Sequence, residues 1–538
     1  MAENEGNPPD RVPRKSGGTP SMYNRSLNWL WNFIESRTHI SKWPYRPQPE
    51  FSFNPSYWTG AFVAIAFILQ VLTGLLLLFY YNPSVTAATT GAPPQAWAST
   101  LYIIQTVPFG WLLLSSHLYG AYACIMLAFV HFFRGFYTGV YKRPRELSWM
   151  LGTVLLICML GMGFTGYLLP YTALSVGATD VGLSLVSSVP VLGPIMSPLL
   201  EGNGTYQGLL SRMFALHVVL VPVVLLMLLY VHVTLFESHG VGPGASSDPG
   251  AKRVLTAEDD RKLGSWFPRV FLYMLKWGLV YVGCLLVLAS AFLVVLPAAF
   301  GSQNQGGASP EPDWYFLWLY KVADFQFVTP TIAVLLVGLL AAFILLVPWI
   351  ETVIGRIVPR LRSLRTHPRD RPFALFTATF LLSFFALLTV WGGVMPGITI
   401  PAQMYVSYLG SLALLQGLVI SFFYLRYRRS YRARLPTPKE AQPVPALLPA
   451  AQGTVDPRYV HSLSSRSQNF WDGSTAMVIM TLAGLLIPLG FVLDQRSYVG
   501  AGNEQAFGAA TAVMALALAG MVHIVERVLF RRRSTPAA

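Results

Sequence analysis

Charged residues are scarce in this chain of 538 residues: they make up 12% of it, whereas 54% is hydrophobic. About 25% of an ordinary soluble domain is charged, so this deficit excludes a single soluble domain. The apolar residues form runs of about twenty, the length that an α-helix needs to cross a bilayer. Ten such spans can be placed, near residues 57–81, 111–133, 148–169, 213–236, 270–299, 329–350, 373–395, 402–425, 475–493 and 507–530. The sequence therefore predicts an all-α polytopic membrane protein.

Cysteine is also rare: the chain has three, Cys124, Cys158 and Cys284, all within apolar spans. A disulfide framework is excluded, and no CxxCH sequence offers covalent haem attachment. We expect the three thiols to be small buried hydrophobes. The first forty residues lack the compact apolar segment of a cleavable signal peptide, so the N-terminus is expected to stay inside.

Lys and Arg are missing from alternate loops. Residues 82–110, 170–211 and 396–401 contain neither, whereas the loops between them hold basic clusters at 134–145, 252–269, 356–371 and 426–439. This alternation follows the positive-inside rule and predicts that both termini are cytoplasmic. The net charge of +14 is thus explained by topology, and no nucleic-acid partner is expected. The charge-poor loop 170–211 is rich in Gly, Ser and Pro, and we expect it to form short amphipathic helices. The later outer loop 300–328 is similar, and we expect the same of it.

Two apolar spans carry an imidazole at each end: "HLYGAYACIMLAFVH", from His117 to His131, and "HVVLVPVVLLMLLYVH", from His217 to His232. The rings of each pair lie about 21 to 22 Å apart along a helix and about 40° and 60° from one common face. Both spans run from outside to inside, so His117 can face His217, and His131 can face His232. A single such histidine is more often a core residue, but four at matched depths indicate function. Two metal macrocycles, each held by two imidazoles, would fit between the helices.

Glycine repeats at the same interval in two neighbouring spans. Gly60 and Gly74 lie in the first span, and Gly152 and Gly166 in the third, each pair fourteen residues apart. Glycine lets a bulky group approach the backbone closely, although glycine pairs also serve helix packing alone. Together with the histidines they favour a four-helix cage around two macrocycles.

The four histidines and four glycines resemble those of cytochrome b, the quinol-oxidising subunit of cytochrome bc and b/f complexes. Four further stretches share the resemblance: "HFFRGFYTGVYKRPRELSW", "GYLLPYTALSVGAT", "SRMFALH" and "PDWYFLWLYK". The resemblance covers about residues 50–430. It implies two non-covalent b haems: His117 and His217 would bind the outer haem iron, and His131 and His232 the inner one. Trp58 stands near where the b/f branch has a haem-binding cysteine, so no covalent haem c is expected.

The resemblance implies a quinol:cytochrome c-type oxidoreductase in a prokaryotic plasma membrane. Quinol would be oxidised at an outer site, with one electron passing through both haems to an inner quinone site and the other to a Rieske iron-sulfur protein, building proton-motive force. The implied partners are that Rieske protein, a c-type cytochrome or equivalent acceptor, quinone and lipid, in a homodimeric complex. Glu237 and His239 are candidates for proton delivery at the inner site, or ordinary interfacial groups.

The resemblance also places the outer quinol site, at Gly177 in "SVGAT" and at Pro312, Asp313, Trp314 and Tyr315. This tetrapeptide has Asp where the family motif PEWY has Glu. A carboxylate beside quinol is a plausible proton acceptor; alternatively, Asp313 is a helix N-cap or a solvated loop acid.

Two arginines are candidates for pairing haem propionates, since a guanidinium binds a carboxylate with a fixed fork. Arg134 follows His131 by three residues, and Arg212 precedes His217 by five. Ordinary positive-inside charge is the alternative for both. Leu114 occupies a position where the family often has a further arginine, so anchoring of the outer propionates must differ.

The predicted fold is a four-helix di-haem bundle followed by four further core spans and two extra C-terminal transmembrane helices. We divide the chain into a cytoplasmic N-terminal extension (1–50), the di-haem domain (51–240), a cytoplasmic linker (241–268), a C-terminal domain with the PDWY motif (269–430), a Pro-rich cytoplasmic linker (431–472) and the extra helices (473–538). The extra helices are expected to face lipid or dock a partner.

Two other functions remain open from the sequence. A secondary transporter would be expected to show inverted repeats and broken helices around a midplane site, and no such repeat is visible. A haem-poor structural anchor of a redox assembly would explain the extra spans but not the PDWY stretch. Haem content distinguishes both from the favoured function.

Overall fold

The computed structural model describes residues 55–142, 145–191, 193–202, 204–239, 270–292, 294–302, 311–358 and 371–432. β-Structure within these ranges is limited to isolated bridges. The longer helices are α1 (Thr59–Leu78), α2 (Gln95–Gln105), α3 (Gly110–Thr138), α4 (Glu146–Tyr167), α5 (Ala173–Ser187), α6 (Gly193–Glu201), α7 (Tyr206–Ala215), α8 (Val221–His239), α9 (Phe271–Ala291), α10 (Trp314–Ala323), α11 (Pro330–Ile357), α12 (Pro372–Val394) and α13 (Ala402–Arg432). The predicted all-α fold is confirmed.

Seven helices in the described ranges are long and apolar enough to cross a membrane: α1, α3, α4, the continuous segment Tyr206–Phe236, α11, α12, and α13 as far as Phe422. They correspond to the predicted first four and sixth to eighth spans. The protein is therefore a multi-pass membrane protein. The predicted N-terminal extension, the linker 241–268, nearly all of the linker 431–472 and the two predicted extra spans lie outside the described residues.

The predicted fifth span, 270–299, extends beyond the end of the helix. Helix α9 ends at Ala291, and residues 294–298 are not helical. These apolar residues pair with another segment instead: Ala173 N–H donates to the carbonyl of Ala298 at 2.9 Å, and Phe300 N–H donates to that of Tyr171 at 3.2 Å. Because these contacts satisfy the backbone, the chain can leave the helix early.

Short helices fill the two loops that were predicted to lie on the outer side. Helices α5 and α6 and the start of α7 occupy the loop 170–211, and α10 lies in the loop 300–328. A capping box begins α5: Thr172 Oγ1 accepts from Ser175 N–H, and Ser175 Oγ accepts from Thr172 N–H. Tyr320 on α10 donates its hydroxyl to the carbonyl of Ala178 on α5, which joins the two loops.

Four helices form the N-terminal bundle, with α1 packed along α3 and α4 along α8. A buried apolar cluster with members from all four, including Ala66, Cys124, Met159 and Leu225, fills its middle. The prediction of buried thiols holds for Cys124 but not for Cys284, which is exposed, while Cys158 is half-buried.

A buried ion-pair network joins the N-terminal bundle to the helices that follow it. Arg371, 2% exposed, donates to both oxygens of Glu351 at 3.1 and 3.0 Å and to the carbonyls of Phe136 and Tyr137. Lys142 Nζ lies 3.1 Å from the same carboxylate. The network ties the end of α3 to α11 and α12.

Candidate haem and quinol site

The four histidines lie on two neighbouring helical segments. His117 and His131 are on α3, His232 is on α8, and His217 lies in a π-helical turn, Leu216–Leu220, that joins α7 to α8. A π-turn inserts one extra residue into an α-helix. It therefore absorbs the difference between the fifteen-residue spacing of the second pair and the fourteen-residue spacing of the first.

The imidazoles of His117 and His217 face each other across the bundle. Their ring centroids are 6.2 Å apart, and their planes are inclined at 81°. Two imidazoles bound to opposite sides of one metal ion, each at a metal–nitrogen distance of about 2 Å, have centroids about 6 Å apart. The pair thus has the separation that a single iron between the rings requires. His131 and His232 are also close enough to interact electrostatically.

Each glycine of the repeat lies against one histidine ring. A Cβ atom built on these glycines would approach the Cε1 atom of an imidazole at 2.5 to 3.2 Å. The pairs are Gly74 with His117, Gly166 with His217, Gly60 with His131 and Gly152 with His232. The glycine spacing predicted room for a macrocycle; in the structure, the side chains closest to the four glycines are the imidazoles themselves.

Threonine hydroxyls hold three of the rings. The Oγ1–Nδ1 distances are 2.9 Å for Thr73 with His117, 2.9 Å for Thr59 with His131 and 3.2 Å for Thr165 with His217. These three threonines were not predicted as site residues. The signal was present, because each of the three threonines immediately precedes a glycine of the repeat.

These bonds fix which ring nitrogen carries the proton. Thr73 donates its hydroxyl to the carbonyl of Leu69 at 2.9 Å, an arrangement in which its oxygen can accept from the Nδ1–H of His117. His217 Nδ1 lies 3.0 Å from the carbonyl of Met162, which can only accept. In His217, Nδ1 is therefore protonated and Nε2 offers its lone pair, the tautomer that metal-binding histidines adopt. The residues fit a bis-imidazole haem.

The two arginines lie in different surroundings. Arg134 is half-buried beside His131, with Cζ 5.0 Å from the ring centroid of Tyr57. Arg212 is exposed on α7, packs over Gly202, and donates to the carbonyl of Gly208 at 3.1 Å. Only Arg134 is thus brought next to a candidate haem ligand.

Asp313 is held by tyrosines and does not cap a helix. It occupies the N-cap position of α10, but its side chain makes no capping bond. Instead, Oδ1 accepts from the Tyr122 hydroxyl at 2.5 Å and Oδ2 from the Tyr315 hydroxyl at 2.8 Å. Burial raises the pKa of Asp313 above its ordinary value, and the two hydrogen bonds partly counteract this. The expected alternative of a helix N-cap is excluded by this geometry.

The remaining predicted outer-site residues lie close by in the chain and in space. Pro312 and Trp314 flank Asp313 and are half-buried. Tyr167, at the end of α4, donates to the carbonyl of Glu311 at 2.7 Å. Gly177, on α5, precedes Ala178, whose carbonyl binds α10. The "SVGAT" segment therefore contacts α10, the helix that begins within the "PDWY" segment.

Comparison with known proteins gives consistent results. Residues 122–302 match the family model described as cytochrome b (N-terminal)/b6/petB. Cytochrome b of Sulfolobus acidocaldarius is 34% identical over 416 residues, covering 72% of this chain and 70% of the relative. The menaquinol:cytochrome c reductase cytochrome b subunit of Bacillus subtilis is 34% identical over 230 residues, covering 40% of this chain and 99% of the relative.

A solved chain described as "Hyperthermophilic respiratory Complex III" superposes with a TM-score of 0.56 at 25% sequence identity. The superposition covers 73% of this chain and 96% of that chain. The similarity therefore extends well beyond the N-terminal bundle.

Proposed function

This chain belongs to the cytochrome b family, and on that premise we propose that it is the cytochrome b subunit of a quinol:cytochrome c-type oxidoreductase. Its relatives are subunits of bc-type complexes, so it works as a component of a multi-subunit oxidoreductase. The observation that carries the proposal is the pair of facing imidazoles, His117 and His217, at 6.2 Å. Neither a transporter nor a structural anchor needs such a pair.

Membership in the family implies haem b, and we propose two per chain. His117 and His217 would hold one, and His131 and His232 the other, with Arg134 and Arg212 as candidates for their propionates. The two levels are about 21 Å apart along α3, so the bound haems would carry electrons across the membrane. The four glycines set how closely the rings approach α1 and α4, and the threonines keep Nε2 available to iron.

We place quinol oxidation beside Asp313, lined by Pro312, Trp314, Tyr315 and Gly177. A buried ionised carboxylate can accept the proton of a quinol hydroxyl at its oxygen, and its raised pKa makes it a better base than an exposed aspartate. Two of the relatives are named for menaquinol, so menaquinol is the first substrate to test.

The wider assignments remain proposals of the same kind. We propose a Rieske protein and a c-type cytochrome or equivalent acceptor as partners, a homodimeric complex, and a prokaryotic plasma membrane with both termini cytoplasmic. We also propose the domain division given above, with residues 51–240 as the di-haem domain and 269–430 as the C-terminal domain. No covalently bound haem is expected.

Substitution of Asp313 tests the quinol site. Asp313→Asn should lower quinol:cytochrome c reductase activity of the purified complex about 100-fold, because it removes the proton acceptor, while the haem spectrum stays unchanged. Asp180→Asn is the control, since Asp180 also accepts from a tyrosine hydroxyl, that of Tyr206, but on another helix. Wild-type rates in the Asp313→Asn complex would refute the assignment.

A further inference from the structure

Tyr122 is the long-range partner of the Asp313 carboxylate. It lies on α3, five residues after His117, and reaches a residue 191 positions later in the chain. Tyr315, the other donor, lies only two residues from Asp313 and moves with it. The Tyr122 bond is therefore the one that sets where the carboxylate lies relative to the helix that carries the histidines.

The direction of both bonds follows from the chemistry of the groups. An ionised carboxylate can only accept, whereas a phenol hydroxyl can donate. Each carboxylate oxygen takes one phenol, and hydrogen bonds to a charged acceptor are about twice as strong as neutral ones. The ionised form of Asp313 is thus favoured by two donors from α3 and α10.

In the described part of the chain, no cationic side chain helps to stabilise the ionised Asp313 carboxylate. Neither Lys, Arg nor His forms an ion pair with Asp313 there. The titratable groups facing it are Tyr122 from α3, Tyr315 from α10 and Tyr167 from the end of α4, which interacts with it electrostatically. The phenol donors are what counteracts the burial of the carboxylate.

We propose that Tyr122 is a positioning residue for quinol oxidation, which keeps the Asp313 carboxylate ionised and fixed in place relative to α3. The inference rests on the proposed function of Asp313 as proton acceptor. Tyr122 itself need not contact quinol. Its effect is exerted through the carboxylate and is therefore visible in the pH dependence of the reaction.

The test compares Tyr122→Phe with Tyr119→Phe in the purified full complex. Tyr119 lies three residues earlier on α3, and its ring packs edge-on near that of Tyr122 with centroids 6.4 Å apart, but its hydroxyl does not bind Asp313. The rate of oxidation of a short-chain menaquinol, with a soluble c-type cytochrome as acceptor, is measured across pH. Haem content of each variant is measured first.

Loss of the Tyr122 hydroxyl removes a donor to the anion, so the pKa of Asp313 rises further. Because the base must be ionised, the acid limb of the pH–rate profile should move upward by about one pH unit. The rate on that limb should fall about tenfold and recover at higher pH. Tyr119→Phe should match the wild type.

An unchanged acid limb in a Tyr122→Phe complex that retains haem and oxidises quinol would overturn the inference and leave the proposed function intact. If the wild-type complex holds its haems but oxidises no quinol, the proposed function itself fails. Should Tyr122→Phe lose haem, Tyr122→Gln, which keeps a donor, is compared with Tyr122→Met. Only Tyr122→Gln should then keep the acid limb of the wild-type pH–rate profile. Acid limbs at the same pH in Tyr122→Gln and Tyr122→Met would overturn the inference.

Discussion

At the scale of single residues, the position of each candidate haem-binding imidazole depends on small neighbouring residues, a glycine and in three cases a threonine. Gly166 leaves so little space that a Cβ would lie 2.5 Å from His217 Cε1, and Thr165, one position earlier, orients the same ring. Steric room and hydrogen bonding thus come from adjacent residues of one helix. This explains why a Thr-Gly pair recurs opposite three of the histidines.

Gly166→Ala should displace the His217 imidazole and remove the haem it helps to bind. The purified complex should then contain about one haem per chain instead of two, since the ring must move to relieve the contact. Gly161→Ala on the same helix is the control, because a Cβ there meets nothing within 4 Å. Haem is quantified after extraction, and two haems in Gly166→Ala would contradict the assigned role.

Thr73→Val keeps the side-chain shape but removes the hydroxyl that accepts from His117 Nδ1–H. Loss of such an outer hydrogen bond commonly weakens metal binding about 10- to 100-fold. The haem at this level should be lost more easily during purification, and its midpoint potential should change. Thr153→Val serves as the control, because Thr153 adjoins Gly152 but donates to the carbonyl of Trp149. Identical potentials in wild type and Thr73→Val would argue against this role.

The residue scale also shows how far the sequence could predict the site. The histidines and glycines are recognisable because their helical spacing is regular. Tyr122 could not be recognised, because its partner Asp313 is 191 residues away and only the packing of α3 against the PDWY segment brings them together. The same contact decides that Asp313 does not cap α10.

At the scale of elements, hydropathy predicts the apolar helices well because each must satisfy its own backbone hydrogen bonds in lipid. It fails at residues 294–300, which are apolar but pair with residues 171–173. Hydropathy also cannot show the π-turn Leu216–Leu220. The fifteen-residue spacing of the second histidine pair, one residue longer than that of the first, reflects this turn. Local pattern determines helices, and long-range contacts determine where they end.

Arg371→Met tests the network that joins three of these elements. It would leave Glu351 buried with fewer partners, and breaking a buried ion pair in this way costs about 3 to 5 kcal/mol. The denaturation midpoint of the detergent-solubilised complex should therefore fall clearly. Arg356→Met, on an exposed position of α11, is the control and should change stability little. Equal midpoints for the two variants would show that the network does not hold the helices together.

At the scale of the whole molecule, the distribution of basic residues predicts the orientation in the membrane. Residues 82–110 contain no Lys or Arg, and 356–371 contain several, so the two regions should lie on opposite sides. The same orientation would place the His117–His217 pair near the outer surface and the His131–His232 pair near the inner one.

Single cysteines test this orientation in intact cells. Thr89→Cys, at an exposed position, should react with a membrane-impermeant maleimide, whereas Arg356→Cys should react only after the cells are permeabilised. The parent chain, with its three cysteines in apolar spans, gives the background. The reverse pattern would invert the topology and exchange the two haem levels.

The central claim is that this chain holds two haems between paired histidines. The most direct measurement is a dithionite-reduced minus oxidised spectrum of the purified complex, with haem quantified per chain and extracted with acid. We expect two b-type haems per cytochrome b chain, both released by acid because none is covalently held. A folded chain that carries no haem would show that the paired histidines do not bind haem, and would remove the basis for electron transfer across the membrane.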